Sequence, residues 1–343
     1  MANPPLIFPL QEGTSPRPFW SVMIPTYNPR ADYLEETLKS VLQQDPGSEH
    51  MQIEVVDDCS KDGIASEITG RVGAGRVTFH AESENRGLVN TWNRCIERAR
   101  GHWVHILHHD DIVLQGFYDR LYHGITCNPD VGMAFCRFAI IDANGHWKEL
   151  APLESATAGV LNDWLERVAT GYHVECPAVV VKRATYERLG GFTAKLICFL
   201  DLEMWVRIAA RAPVYYEPQI LAGFRRHGDN VHLVQARTGA NMQDMARAIR
   251  IWKKYLPANS RRQLEKQGRR YWADISLMLA QQFFSNDDVA ACTSQLRATK
   301  ELWDHGRHRS RRLRLEAKVL LHRASGGRAI IAVRQLRKRI RRL

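Results

Sequence analysis

Between residues 20 and 107 short apolar runs rich in β-branched residues alternate with stretches whose apolar positions recur every three or four residues. That alternation of strand and covering helix is what builds a parallel sheet with both faces buried. The runs 20–24, 51–56, 77–80 and 103–107 predict strands, and 31–44, 62–70 and 88–99 predict the helices between them. After Asp111 the texture changes: a helix over 114–126 leads to a strand over 132–141, then to Asp142-Ala143-Asn144-Gly145. Such a tetrad joins hairpin strands, so the sheet is expected to become mixed at this point. Further helices are predicted at 161–170, 184–189 and 202–211, and strands at 175–181 and 214–217. Beyond Asn241 the pattern is helical almost throughout, which puts a boundary near 231–239. The expected architecture is α/β: a mixed Rossmann-like sheet flanked by helices over 18–232, followed by a helical extension over 240–343.

Charge adds something the pattern does not show. The net charge is +11 over 343 residues, but 14 of the 48 Lys and Arg fall within 307–343, beside a single acidic residue, Glu316. The remaining 306 residues hold 34 basic and 36 acidic side chains, so the excess cations belong to the end of the chain and not to its body. In that end Ala329, Val333, Leu336, Ile340 and Leu343 recur at helical spacing among arginines, an amphipathic stripe suited to an anionic membrane surface. No apolar run is long enough to span a bilayer, and residues 1–18 have neither the basic start nor the apolar core of a signal peptide. Seven scattered cysteines without a CxxC pair suggest reduced thiols in a cytosolic protein.

The chemistry collects where strands are predicted to end, and in open α/β sheets the carboxyl edge is where ligands bind. The first strand closes on Pro25-Thr26-Tyr27-Asn28, a fixed turn with an aromatic face and an amide that can hold a nucleobase. Asp57-Asp58 ends the second, and a carboxylate there can accept from a base N–H or a ribose hydroxyl. Asn85-Arg86-Gly87 opens a helix and can offer backbone N–H groups and a guanidinium to a diphosphate. His108-His109-Asp110-Asp111 follows a buried strand, and four such side chains in a row are hard to explain by packing alone. One or two carboxylates with ligand phosphates suit Mg²⁺ or Mn²⁺. Asp201 starts a predicted helix as a carboxylate suited to base or cap, while Glu203 should face away from it. His227, in a Gly-flanked cationic loop, can ligate a metal or meet a phosphate.

Taken in order, these residues resemble the family 2 glycosyltransferases of the GT-A fold over about 18–230. The PxYN-type turn, Val55-Val56-Asp57-Asp58-Cys59-Ser60-Lys61-Asp62-Gly63, the NxG segment at Asn85 and Gly87 with a later Asn93, Asp110-Asp111, Gly190-Gly191-Phe192, Asp201 and Phe224-Arg225-Arg226-His227 carry the likeness. The chain departs from the family's pattern at His108 and Leu200, where acidic residues are common. The resemblance implies an inverting, metal-assisted transfer of sugar from a nucleotide-diphospho-sugar to a hydroxyl of a glycan or lipid-linked acceptor. It implies Asp201 as general base, Pro25, Tyr27, Asn28, Asp58, Asn85, Arg86 and Asp110 as nucleotide contacts, and Asp111 and His227 as ligands to Mg²⁺ or Mn²⁺. The expected place is the cytoplasm, peripheral on the inner face of the cell membrane through 307–343. A metal-dependent nucleotidyltransferase would share the metal and nucleotide but has no use for Asp201. A nucleic-acid-binding protein would carry its basic residues on the folded body, so no nucleic-acid partner is expected.

Overall fold

The computed structural model describes residues 4–11, 16–227 and 231–325. The amphipathic stripe read from Ala329 to Leu343 lies outside the described residues. The chain forms two compact units: Met1–Val168, Tyr172–Lys195 and Leu200–His227 make the first, while Ala169–Gly171, Leu196–Phe199 and the chain after His227 make the second.

In the first unit the predicted alternation appears as β1 (Trp20–Thr26), α1 (Ala31–Leu42), β2 (Met51–Asp57), α2 (Ile64–Gly73), β3 (Thr78–Ala81), α3 (Leu88–Arg98) and β4 (Trp103–Ile106). β1 and β2 are buried at every position, as strands covered on both faces must be, and α1 turns Tyr33, Leu34, Thr37, Leu38 and Val41 inward at helical spacing. After them come β5 (Ile112–Val113), α4 (Phe117–Cys127), β6 (Met133–Ile141), β7 (Trp147–Leu150), β8 (Gly159–Val160), α5 (Trp164–Thr170), β9 (Val179–Lys182), α6 (Arg183–Leu189), α7 (Leu200–Ala209) and β10 (Val214–Arg225). One sheet runs β3-β2-β1-β4-β9-β6-β10-β5, with β7 beside β6 and β8 beside β10. Its β3 to β4 part is parallel, and β9 enters antiparallel to both β4 and β6. The sheet is therefore mixed, and the change of texture after Asp111 marks where it becomes so.

β10 is longer than the 214–217 run the sequence suggests. Pro218 reads as a terminator because it has no N–H for a ladder, yet proline is tolerated at a bulge. Here the register against β6 shifts between Glu217 and Ile220 and again before Ala222, and the strand continues to Arg225. Gly223 makes the last pairing possible: a Cβ there would lie 2.8 Å from the Ile112 side chain on β5. Continuing β10 carries its end to the turn that follows β4.

The second unit, beyond its two short inserted segments, is helical: α8 (Val231–Thr238), α9 (Ala240–Trp252), α10 (Arg261–Ser285), α11 (Val289–Leu302) and α12 (Gly306–Ala324). Leu277, Ala280, Cys292, Leu296, Leu315 and Val319 form a core between α10, α11 and α12. Among the described residues no helix is long and apolar enough to cross a membrane.

Candidate functional site at the carboxyl edge of the sheet

The loops after β1, β2 and β3 are tied to one another by side chains the sequence placed there. Asp57 accepts from Thr26 Oγ1 at 2.8 Å and from the Ser60 N–H and hydroxyl at 2.8 and 2.6 Å, which shapes the loop after β2. Asn28, at a left-handed φ of 44°, donates its N–H to Ser60 Oγ and accepts the Lys61 N–H on Oδ1, while Tyr27 beside it is 49% exposed. Asn can adopt that conformation at small cost, which is a reason for an amide here besides base recognition.

Asp58 is 3% exposed, and its two oxygens accept the Arg86 and Gly87 N–H groups at 2.7 and 2.8 Å. The sequence suggested direct contact with a base or ribose; the structure has this carboxylate holding the loop that presents Asn85 and Arg86. Arg86 is exposed and ion-paired with Glu82 at 3.2 Å. Asn93 exchanges hydrogen bonds with the Phe192 backbone, donating at 3.0 Å and accepting at 2.7 Å, and so locks α3 to the Gly190-Gly191-Phe192 turn. Gly191 has to be glycine for that clasp, because a Cβ would sit 2.3 Å from Asn93 Oδ1. A cavity of about 870 Å³ opens here, lined by Asn85, Arg86, Asn90, Arg94 and 192–195 among others. Its lining includes Asn85 and Arg86 but not the turn after β4, Tyr27 or Asp201.

The turn after β4 is built around Asp111, which is fully buried. Its Oδ1 accepts the Arg225 N–H at 2.8 Å and its carbonyl accepts Thr37 Oγ1 at 2.7 Å. Its Oδ2 is buried without a formed hydrogen bond among the described residues, with His108 Nδ1 at 3.4 Å. Arg225, quoted from the sequence only within the Phe224-Arg225-Arg226-His227 motif and given no role of its own there, organises the surroundings. Its Nε donates to the Asp110 carbonyl at 2.8 Å, its guanidinium lies 4.5 Å over the Tyr33 ring, and it pairs with Glu36. The end of β10 thereby brings His227 Nε2 to 2.8 Å from Asp110 Oδ2. The structure pairs His227 with Asp110 rather than with Asp111. His108 stacks on Trp92 with ring centroids 4.8 Å apart, and His109 Nδ1 lies 3.3 Å from the Pro25 carbonyl.

His108, Asp110 and Asp111 offer ligand atoms within 4.8 Å of one another. Burial raises the Asp111 carboxyl and the neighbouring Asp110 charge adds to the rise, against His108 and the Arg225 N–H. Burial acts upward on Asp110 too, but the His227 hydrogen bond and the three imidazoles outweigh it and hold that carboxyl low. A divalent cation would reverse the sign of this pocket and supply the partner that Asp111 Oδ2 lacks. Carboxylate oxygens with imidazole suit Mg²⁺ or Mn²⁺, so the donor set fits such an ion.

Asp201 is in the first turn of α7, 7% exposed, and its Oδ1 accepts the Leu202 N–H at 2.7 Å. Glu203 is fully buried and paired with Arg207 at 2.8 Å, and Arg207 Nη2 also donates to the Gly191 carbonyl. The rival carboxylate thus lies within α7 and is paired with an arginine that reaches back to the Gly191 carbonyl. Glu175 was not singled out in the sequence. Its carboxyl accepts the Tyr172 hydroxyl at 2.6 Å and lies within electrostatic range of Asp201, Asp111 and Arg226. Burial pushes its pKa up to about 8, with the Tyr172 hydrogen bond opposing and the two aspartates adding to the rise. One buried carboxyl therefore feels both the turn after β4 and the first turn of α7.

Comparison with known proteins bears on the family and the fold. Residues 21–185 match the sequence model of Glycosyl transferase family 2. An uncharacterized protein of Mycobacterium tuberculosis is 30% identical over 222 residues, 62% of this chain and 68% of that protein. Among solved structures, S. aureus TarS 1-349 in complex with UDP-GlcNAc superposes with a TM-score of 0.60 at 15% identity, covering 90% of this chain and 92% of that one. The mannosyltransferase PcManGT from Pyrobaculum calidifontis, in complex with GDP-Man and Mn²⁺, does so with a TM-score of 0.56 at 20% identity, covering 96% and 90%. Both likenesses are of fold.

Proposed function

The chain belongs to glycosyl transferase family 2 and is a glycosyltransferase, and on that premise we propose that it moves a sugar from a nucleoside-diphospho-sugar to a hydroxyl of a glycan or lipid-linked acceptor, with inversion at the anomeric carbon. The observation that carries this reading is the meeting of Asp110 and His227 at 2.8 Å beside the buried Asp111, at the sheet edge where β1, β2 and β4 end. The nucleotide lies across those strand ends, its base against the exposed Tyr27 ring and the Pro25 and Asn28 turn, and its diphosphate towards Asn85 and Arg86. Asp58 serves the nucleotide by keeping the Arg86 loop in place. The acceptor oxygen attacks the anomeric carbon from the face opposite the diphosphate, the carbon–oxygen bond to the diphosphate breaks, and Asp201 takes the acceptor's proton. Asp110 and His227 would hold the cation, with Asp111 Oδ2 and His108 in reach, and when bound it supplies neutralising charge for the departing diphosphate. Arg86 adds a fixed cation on the same leaving group.

The test is release of nucleoside diphosphate from a panel of nucleotide sugars, including UDP-GlcNAc and GDP-Man, with Mn²⁺, with Mg²⁺ and with EDTA. Metal-dependent diphosphate release that falls in Asp110→Asn is the expected outcome. Sugar 1-phosphate in its place would mean nucleotidyl transfer, since breaking the link between the two phosphates leaves that product, and release unchanged in EDTA would remove the metal from the proposal.

A further inference from the structure

Helix α12 buries one face, of mixed character, within the second unit and carries an apolar stripe on the side that faces outward. His308, Arg312, Leu315, Val319 and His322, at spacings of four, three, four and three, are its buried face. On the opposite side Leu313, Ala317, Leu320, Leu321 and Ala324 form the apolar stripe, with the three leucines 47%, 64% and 65% exposed. At 100° per residue Arg309 and Arg323 border this stripe on one side, with Glu316 between them paired to Arg312 at 2.6 Å, and Arg314 and Lys318 border it on the other. Arg309, Arg314 and Lys318 form no ion pair among the described residues, whereas Arg307 and Arg311 pair with Asp274. A helix face that only meets water has no use for three leucines in a row of turns.

The flanking charge decides what covers it. A second copy of α12, or the chain's own residues 326–343 with seven Lys and Arg and no acid, would bring cations onto cations. A nucleic acid would satisfy the arginines but leave the leucine stripe in water. An anionic bilayer satisfies both, because long cationic side chains reach lipid phosphates while the stripe enters the acyl boundary. A notch of about 190 Å³ lined by Leu277, Gln281, Arg311, Arg314, Leu315 and Lys318 adds a recess with an apolar wall and three cations at its rim, of a size for a phosphate headgroup.

We propose that the outward face of α12 docks the protein on an anionic lipid surface, with Leu313, Leu320 and Leu321 inserted and Arg309, Arg314 and Lys318 on lipid phosphates. This goes beyond the proposed transfer reaction, and its test reads binding alone, so it stands or falls separately. The full chain is sedimented with vesicles of phosphatidylcholine alone and of phosphatidylcholine with phosphatidylglycerol, at low and high salt. Binding to the anionic vesicles is expected to fall roughly tenfold or more both in the triple variant Leu313→Gln, Leu320→Gln, Leu321→Gln and in Arg309→Gln, Arg314→Gln, Lys318→Gln. All six side chains face outward, so unchanged thermal melting of both variants will show that the helix still folds. Undiminished binding in the leucine variant overturns the proposal and assigns any membrane affinity to other segments. Equal binding to neutral vesicles overturns the phosphate contacts. A dimer in ultracentrifugation that the leucine variant dissolves would give the face to a second copy instead.

Discussion

At the scale of single residues, the carboxylates at this site divide by what surrounds them. Asp201 is little exposed, and its Oδ1 accepts the N–H of the adjacent Leu202 in the first turn of α7. If it is the base, Asp201→Asn keeps nucleotide-sugar affinity and lowers transfer by roughly two to four powers of ten. Transfer near the parent rate would leave Asp201 as a helix-end residue only. Glu175 supports a different kind of prediction. Its carboxyl, normally near 4.5, is pushed to about 8. The folded protein therefore keeps a proton that the unfolded chain gives up once the pH exceeds the ordinary carboxyl range. Between those two values the native state binds more protons than the unfolded one, so this group's contribution to stability declines as pH rises and levels off above the folded value. Glu175→Gln carries no such proton. In denaturant unfolding the variant should gain on the parent with rising pH, by at most ~1.4 kcal/mol per pH unit. The groups facing Glu175, namely Tyr172, Asp201, Asp111 and Arg226, are present in both proteins, so the difference isolates this carboxyl. Parallel stability curves from about pH 5 to 8 would show that Glu175 is ionised in the fold. None of this was legible in the sequence, since a lone Glu before a strand has no spacing that marks it as buried.

At the scale of elements, the strand ends were legible and the ties between them were not. A run such as 51–56 followed by Asp57-Asp58 announces a strand and its polar end, because β-branched runs and turn residues act locally. That Asp57 would close its own loop while Asp58 crossed to the Arg86 loop depends on partners 3 and 28 residues away, the second invisible to local reasoning. The same holds for Arg225, whose N–H meets Asp111 across 114 residues, and for β10, which outran its apparent stop at Pro218 through a bulge. The Asp58 tie is open to a direct test. Asp58→Asn leaves one acceptor oxygen and turns an amide donor towards a backbone N–H, which should cost about 1–3 kcal/mol of stability. Nucleoside diphosphate affinity should fall with it for every base, since the Arg86 loop is released. A variant of parental stability that merely changes its preference among bases would restore Asp58 to direct recognition.

At the scale of the whole molecule, the sequence predicts a catalytic domain over 18–232 and an extension over 240–343. The contacts divide the chain less simply. Leu196–Phe199, immediately before the helix that bears Asp201, belongs with the second unit. There Asp244 Oδ2 on α9 accepts the Ile197, Cys198 and Phe199 N–H groups at 3.0, 2.8 and 3.1 Å, and the Phe199 ring packs edge-on against Trp272 of α10 at 4.9 Å. Three N–H groups on one buried carboxylate are strong hydrogen bonds, and removing the acceptor leaves them all unpaired. Asp244→Ala is therefore expected to lower stability by several kcal/mol at most and by about 1–3 kcal/mol at least, and to speed amide exchange at 197–199. A fragment ending at 232 loses Asp244 and Trp272 together. We expect it to bind nucleoside diphosphate, whose proposed contacts lie in the first unit, but to transfer sugar far more slowly, because the segment leading into Asp201 has lost what holds it. Parental transfer by the fragment, with unchanged exchange at 197–199, would show that the helical unit is dispensable to the chemistry and that α8 to α12 serve only the surface on which the enzyme works.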